Sequence, residues 1–242
     1  MPTLPNLKIK IFADGADPAT IAKLRKNPAV KGFTTNPTLM RKAGASDYEK
    51  HCRAVLEAAE GASVSLEVFA DDPVAIETQA RIIAGWGPNV AVKVPVSTTK
   101  GEFLGPTIAK LAKSGIALNV TALTTLAQVE RVRDALEADV PAIVSVFAGR
   151  IADTGRDPMP IMSDAAKALT SRPKAELLWA SPREVLNLYQ AEAVGCHIIT
   201  MGADLLSKLD LYGKDLDAYS IETVKMFHSD AVAAGFVLGA GR

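Results

Sequence analysis

A lysine in the middle of a short apolar segment has the clearest chemical potential of any residue in this sequence. Residues 89–96 read NVAVKVPV, so Lys93 lies between valines, and Pro95 favours an extended backbone before it. This pattern predicts a buried strand. Burial of an unpaired ammonium group is unfavourable, and a neutral buried amine can attack a carbonyl carbon to form a Schiff base. A strand lysine more often extends to solvent or pairs with a carboxylate, and Lys93 by itself does not exclude that alternative.

The segments around Lys93 alternate between short apolar strands and helices. Aspartate or serine followed by proline, at Asp17, Asp72 and Ser181, predicts three helix starts. The absence of a GxGxxG motif after the first strand weakens the alternative, a doubly wound open sheet. We therefore predict an α/β fold, a (β/α)8 TIM barrel of parallel strands. The eight predicted strands are residues 8–13, 30–34, 63–69, 89–96, 116–120, 142–147, 176–179 and 196–201.

The predicted organisation is one catalytic domain with an additional C-terminal helix. No linker-like segment divides the chain, so we place the barrel domain at residues 1–212 and a helical tail at residues 213–242. The tail helix is predicted at residues 216–237, and Ile221, Val224 and Phe227 in it follow helical spacing.

Polar residues follow most of the predicted strands. Because the active site of such barrels lies at the carboxyl ends of the strands, we expect these residues to meet at one mouth. A lysine nucleophile, two carboxylates and two arginines together indicate a Schiff-base enzyme for a phosphorylated carbonyl compound. Ser181, at a predicted helix N-terminus, would add anion-binding N–H groups. The predicted set is Asp14, Asn36, Glu67, Lys93, Asn119, Thr121, Ser145, Arg150, Ser181 and Arg183.

The composition excludes several other classes of protein. The chain has 242 residues, 48% of them hydrophobic, and its 27 basic and 27 acidic side chains balance, which argues against nucleic-acid or anionic-membrane partners. Two cysteines and three histidines show no metal-binding spacing, so we expect no metal and no other cofactor. Neither a secretory signal nor a membrane span is expected, which predicts a cytoplasmic location.

Four segments resemble the transaldolase family, specifically its short type related to fructose-6-phosphate aldolases. Residues 32–40 (GFTTNPTLM) are similar to the TTNP motif of that family, and residues 92–95 (VKVP) to the motif of its Schiff-base lysine. Residues 145–151 (SVFAGRI) and 179–183 (WASPR) match two later family segments. The matches follow the family order from about residue 9 to about residue 209.

The resemblance implies a role for each candidate residue. Lys93 would form a Schiff base with C2 of a ketose, and Asp14 would take the proton of the C4 hydroxyl, which breaks the C3–C4 bond. Glu67 and Thr121 would relay protons through a water molecule. The dihydroxyacetone unit would contact Thr35, Asn36, Asn119, Ser145 and Phe147, and the phosphate would contact Arg150, Ser181 and Arg183.

The family resemblance leaves three alternatives for the function. Glu67 and Phe147 take the transaldolase form, where the aldolases tend to carry Gln and Tyr, so transfer is favoured over release of free dihydroxyacetone. Phe33, Pro182 and residues 200–204 depart from the family pattern. We expect these departures to lie near the acceptor and the anionic end of the substrate, which leaves a modified ketose, such as a sulfonated one, as a second alternative. A non-catalytic barrel that binds sugar phosphates is the third. The resemblance also implies a homo-oligomer, with a ring-type pentamer or decamer as candidates.

Overall fold

Eight parallel strands form a closed barrel in the computed structural model, which describes residues 7–239. Each strand pairs with its neighbour in sequence, and β8 pairs with β1 from Lys10↔Ile198 to Asp14↔Gly202. The predicted (β/α)8 barrel is confirmed, and the open doubly wound sheet was wrong because the last strand closes onto the first. The strands are β1 (Lys10–Asp14), β2 (Val30–Thr34), β3 (Ser63–Glu67), β4 (Val90–Pro95), β5 (Leu118–Leu123), β6 (Ala142–Val146), β7 (Ala175–Trp179) and β8 (Ile198–Gly202).

Helices connect successive strands along the chain and follow the last one. Two of them, α2 and α7, are six-residue helices that the sequence patterns did not predict. The helices are α1 (Pro18–Arg25), α2 (Pro37–Lys42), α3 (Tyr48–Ala58), α4 (Pro73–Ala84), α5 (Gly105–Lys113), α6 (Leu126–Ala135), α7 (Ala148–Asp153), α8 (Met159–Leu169), α9 (Leu186–Ala193), α10 (Ala203–Lys208), a 3₁₀ turn (Leu209–Leu211) and α11 (Leu216–Ala233).

Side-chain caps start several of these helices, as the sequence predicts. The Asp17 carboxylate accepts from the backbone N–H of Thr20, and Asp72 caps α4 in the same way. Ser181 is the exception. Helix α9 begins at Leu186 after Val185, without a side-chain cap, so the prediction that Ser181 lies at a helix N-terminus was wrong.

The strand register places the central candidates in one row across the barrel. Glu67 on β3 is the register partner of Lys93 on β4, which is in turn the partner of Asn119 on β5. Asp14 is the partner of Thr34 on β2. Since register partners in parallel strands point to the same face of a sheet, these side chains share the barrel interior.

A small cluster of buried apolar side chains also lies on the barrel strands and just after β7. The Phe12 ring lies against Gly32, where an added Cβ would come within 2.6 Å of the ring, so only glycine leaves room for it. Successive strand residues face opposite sides, so the neighbouring Phe33, which is fully buried, points towards the helices. The expectation that Phe33 lies near the substrate was therefore wrong. The cluster is Phe12, Ala91, Ile143, Leu178, Ala180 and Ile198.

The C-terminal segment forms a compact unit of its own. The barrel unit ends at Ser207, and Lys208 begins the second unit. Helix α11 contains no buried residue, and Asp215 caps it by accepting from the N–H of Ala218. Within residues 7–239, no helix is long and apolar enough to cross a membrane.

Candidate active site

A cavity of about 520 Å³ opens at the carboxyl ends of the strands. Its volume lies in the usual range for small-molecule sites, and polar and apolar side chains share its wall. Most of the predicted residues line it, namely Asp14, Asn36, Glu67, Lys93, Thr121, Ser145, Phe147, Arg150 and Ser181.

Lys93 is buried at the floor of this cavity with two oxygen partners. Its side chain is 9% exposed, and Nζ donates to the carbonyl oxygen of Thr35 at 2.9 Å. Nζ also lies 3.0 Å from Glu67 Oε2. The pairing with a carboxylate that the sequence left open is thus present, and it occurs inside the cavity. A carboxylate in contact with the amine can accept the proton that the amine must lose before it attacks a carbonyl.

Tyr48 supports the carboxylate end of this pair. Its hydroxyl donates to the backbone carbonyl of Glu67 at 2.6 Å, and its ring packs edge-on against Phe69. The carbonyl at the end of β3 is therefore satisfied from outside the barrel, which fixes the backbone that carries the Glu67 side chain.

Asp14 lies on the side of the cavity formed by β1, β2 and β8. The hydroxyl of Thr34 donates to Asp14 Oδ1 at 2.8 Å and also lies 2.5 Å from the hydroxyl of Thr200. Because the Thr34 proton goes to the carboxylate, Thr200 is the donor in the second contact. Burial raises the pKa of Asp14 above its ordinary value, although the Thr34 hydrogen bond and the charge of Lys93 oppose the increase. A carboxylate with a raised pKa is a stronger base than an exposed aspartate.

A chain of buried hydroxyl and amide groups crosses the barrel on the opposite side. Asn119 is fully buried, and its Nδ2 donates to Ser65 Oγ at 2.9 Å. Ser145 Oγ donates to Asn119 Oδ1 at 2.6 Å. Since the Ser145 proton points to Asn119, its oxygen can accept a hydrogen bond from a group in the cavity.

Thr121 has a buried hydroxyl that faces the same cavity. Thr121 is 2% exposed, and no residue within 7–239 forms a hydrogen bond with its Oγ1. A buried hydroxyl without a partner is unfavourable, so this position fits a bound hydroxyl or water. The next residue, Ala122, has φ +66 at an irregularity of β5 and also lines the cavity. Non-glycine residues rarely adopt this conformation, and strain of this kind is common at functional sites.

The cysteines do not compete with Lys93 as nucleophiles. Cys52 and Cys196 are both buried, and burial raises the pKa of each thiol to about 12. At neutral pH both thiols are therefore protonated and unreactive. Among the described residues, no group of three or more His, Cys, Asp or Glu side chains is arranged to hold a metal ion.

Comparison with known proteins identifies the family. Residues 11–237 match the family model described as Transaldolase/Fructose-6-phosphate aldolase. The chain belongs to this family. A protein of Dehalococcoides mccartyi named "Probable transaldolase" is 35% identical over 202 residues, which covers 83% of this chain and 90% of that protein. "Probable transaldolase 2" of Listeria monocytogenes is 34% identical over 203 residues, which covers 83% and 88% respectively.

Three of the residues that the family resemblance implicated do not line the cavity. Thr35 is fully buried, with its hydroxyl donating to the carbonyl of Ser65 at 2.8 Å, so it reaches the site only through its carbonyl oxygen on Lys93. Asn119 lies behind Ser145. Arg183 is about half exposed and forms a two-point contact with Asp153, with Nε 3.0 Å from Oδ1 and an Nη nitrogen 2.5 Å from Oδ2.

Two threonines on the Asp14 side of the cavity, Thr34 and Thr200, were not assigned to the site from the sequence. Thr34 precedes the part of the TTNP segment that we assigned to substrate, and Thr200 lies in the segment that departs from the family pattern. The alternation of side chains along a strand could have identified Thr34, because it places Thr34 and Gly32 on the same face of β2. The contacts of Thr34 with Asp14 and of Thr200 with Thr34 depend on the pairing of β1 with both β2 and β8, which no local pattern contains.

Gly149 allows a close contact that shapes the cavity at the Ser181 side. An added Cβ at Gly149 would lie 1.6 Å from the carbonyl oxygen of Ser181. Ser181 itself has φ +58, and Gly149 N donates to Ala180 O at 3.3 Å. The beginning of α7 therefore packs directly on the backbone after β7, and this contact holds Ser181 in its strained conformation.

We expect Gly149→Ala to lower the free energy of unfolding by about 3 kcal/mol, because the backbone must shift to admit the methyl group. Urea denaturation of the variant and the wild type measures this change. Gly15→Ala is the matched control, since an added Cβ there meets no atom within 4 Å. Equal stability of the two variants would contradict the close contact.

Proposed function

We propose that this protein is a transaldolase that transfers a dihydroxyacetone unit from a ketose phosphate to an aldose phosphate through a Schiff base on Lys93. The observation that carries the proposal is the position of Lys93 Nζ, buried at 3.0 Å from Glu67 Oε2 in a cavity that Asp14 also lines. A buried amine with two carboxylates in one cavity contains the nucleophile and the proton acceptors that class I aldol chemistry requires.

Schiff-base formation involves the Lys93 side of the cavity. Glu67 accepts a proton from the ammonium group, and the neutral amine attacks C2 of the ketose. Glu67 then protonates the C2 oxygen, which leaves as water. The Thr121 hydroxyl forms an additional hydrogen bond with this leaving oxygen. The burial of Thr121 Oγ1 without a partner among the described residues supports this role.

Carbon–carbon cleavage involves the Asp14 side. Asp14 takes the proton of the C4 hydroxyl, the C3–C4 bond breaks, and its electrons pass to the imine to form an enamine on Lys93. The aldose part leaves as an aldehyde, and an acceptor aldehyde then reacts with the enamine at C3. Ser145 Oγ accepts a hydrogen bond from a hydroxyl of the retained three-carbon unit, and Asn36 at the start of α2 contacts the same unit.

The anionic group of the substrate binds at the Ser181 side. Arg150 lines the cavity, and its guanidinium carbon lies 5.2 Å from the centroid of the Phe147 ring. No ion pair of Arg150 occurs in the part of the chain between residues 7 and 239. An arginine without a carboxylate partner is suited to a phosphate group, and we assign the phosphate to Arg150, Ser181 and Arg183.

Transfer is favoured over aldolase activity by two side chains. Phe147 presents no hydroxyl that could protonate the enamine carbon, and Glu67 takes the transaldolase form of its position. The enamine therefore persists until an aldehyde arrives. Of the departures from the family pattern, Thr200 lines the cavity and Pro182 does not, which gives little support to a modified ketose.

Product analysis with fructose 6-phosphate, with and without erythrose 4-phosphate, tests the proposal. We expect sedoheptulose 7-phosphate only when both sugars are present. Dihydroxyacetone released at the same rate without an acceptor would identify an aldolase instead. Binding of the donor without any product would support a non-catalytic barrel.

We also propose that the protein is a homo-oligomer, with α11 in the interface. Ile221, Val224 and Phe227 on this helix are 55%, 64% and 63% exposed. Apolar side chains this exposed and this close together are unusual on a monomer and common at protein interfaces. Self-association of the helix would remove them from water.

Replacing Val224 and Phe227 by Lys is expected to shift the protein from the oligomer to the monomer, because two ammonium groups in the interface would lack partners. Sedimentation velocity measures the shift. The double variant Ser220→Lys/His228→Lys adds the same number of lysines at exposed polar positions of α11 and should keep the oligomer. A wild-type protein that sediments as a monomer would exclude this interface.

A further inference from the structure

The residues around Ser181 form a single structural unit that carries two arginines and one aspartate. Gly149 packs against the Ser181 carbonyl, which joins α7 to the segment after β7. Arg150 and Asp153 both lie on α7, one turn apart, and Arg183 lies two residues after Ser181. The backbone positions that carry Arg150, Asp153 and Arg183 are therefore fixed relative to each other.

Within this unit, Asp153 holds the guanidinium of Arg183 by two parallel contacts. Nε lies 3.0 Å from Oδ1, and an Nη nitrogen lies 2.5 Å from Oδ2. This two-point geometry is the one that an arginine also uses for a phosphate group. Hydrogen bonding from Arg183 lowers the pKa of Asp153, and the positive charge of Arg150 lowers it further, so the carboxylate is ionised at neutral pH.

The ion pair with Asp153 keeps the Arg183 guanidinium out of the cavity, whereas Arg150 remains in the cavity wall. Arg150 lines the cavity wall, whereas Arg183 does not. The carboxylate also cancels one of the two positive charges that an incoming anion would meet. An anionic substrate must therefore either bind with Arg150 alone or displace the carboxylate from Arg183.

We propose that Asp153 is a specificity-determining residue that competes with the anionic group of the substrate for Arg183. The identity of that substrate as a sugar phosphate rests on the proposed function. The competition reduces the advantage in binding affinity that a substrate with a dianionic phosphate has over one with a neutral or singly charged end group. Because the pair is half exposed, its opening costs little, so a phosphate can still recruit Arg183.

Titration with inorganic phosphate tests the competition without requiring turnover. Isothermal titration calorimetry compares the wild type with Asp153→Asn, which keeps the shape of the side chain and removes its charge. We expect Asp153→Asn to bind phosphate about threefold to tenfold more tightly, because Arg183 is released and a like charge is removed. Equal or weaker binding, including no detectable binding by either protein, would overturn the proposal.

A double variant establishes that Arg183 mediates the gain. Asp153→Asn/Arg183→Met should bind phosphate no more tightly than Arg183→Met does, since no guanidinium is left to release. A gain that persists in the double variant would assign the effect to general charge and overturn the competition. Asp164→Asn, which removes an exposed partner of Lys167 on α8, is the charge-matched control and should bind like the wild type.

Steady-state kinetics then relates the competition to substrate choice. Asp153→Asn should lower KM for fructose 6-phosphate and leave KM for unphosphorylated fructose unchanged. An equal change in both values would contradict a role at the anionic end. Failure of the proposed transaldolase reaction would appear separately, as an absence of product in the wild type, while the phosphate titration would still give its result.

Discussion

Replacing Lys93 by Met is expected to reduce transaldolase activity by about 10⁴-fold or more, in line with the loss of a covalent nucleophile in other enzymes. Methionine fills a similar volume but has no amine to attack C2 of the ketose. Intact-protein mass spectrometry after borohydride reduction with fructose 6-phosphate provides the direct measurement. The wild type should gain a reduced three-carbon unit on Lys93, and the variant should gain nothing.

Lys10→Met is the control for this experiment. Lys10 is also a strand lysine paired with a carboxylate, with Nζ 2.6 Å from Glu176 Oε1, but it lies at the opposite end of the barrel strands. We expect Lys10→Met to be labelled like the wild type. Labelling of Lys93→Met to the same extent would assign the Schiff base to another lysine. Circular dichroism should accompany the measurement, because removal of Lys93 leaves Glu67 without its partner in the cavity.

The barrel could be predicted from sequence because its determinants are local. Val30–Thr34 was predicted with the bounds that the structure has, and Asp17 and Asp72 cap helices where their patterns placed them. Apolar runs of five or six residues between capped helices leave few alternatives to parallel strands. Closure of the barrel then brings the ends of all eight strands together, which explains why so many candidates line one cavity.

The remaining features depend on contacts between distant parts of the chain. Ser181 followed by proline has the same local pattern as Asp17 followed by proline, yet it does not cap a helix. The difference arises from Gly149, more than 30 residues away in sequence, whose contact fixes the backbone of Ser181 at φ +58. In the same way, the partner of Arg183 is Asp153 on another helix, so neither the exposure nor the pairing of this arginine follows from its own segment.

Asp14→Asn is expected to slow carbon–carbon cleavage by about 10² to 10⁴-fold, which is the usual contribution of a positioned general base. Asparagine keeps the size of the side chain and can still accept the Thr34 hydrogen bond, but it cannot take the proton of the C4 hydroxyl. Lys93 and Glu67 are untouched, so Schiff-base formation should continue. Borohydride reduction should therefore trap the whole sugar on Lys93 of the variant, in place of the three-carbon unit trapped on the wild type.

The pH dependence of kcat/KM distinguishes this role of Asp14 from a purely structural one. A general base must be ionised, so activity falls as the pH falls through its pKa. Because burial raises the pKa of Asp14, the wild type should lose activity at a higher pH than an exposed aspartate would dictate. The residual activity of Asp14→Asn should lack this acidic limb. A variant that keeps the limb, or that still traps the three-carbon unit as readily as the wild type, would assign the C4 proton to a different group. Glu67 is then the remaining carboxylate in the cavity wall as the structure describes it, and its contact with Lys93 would make one residue serve both halves of the reaction.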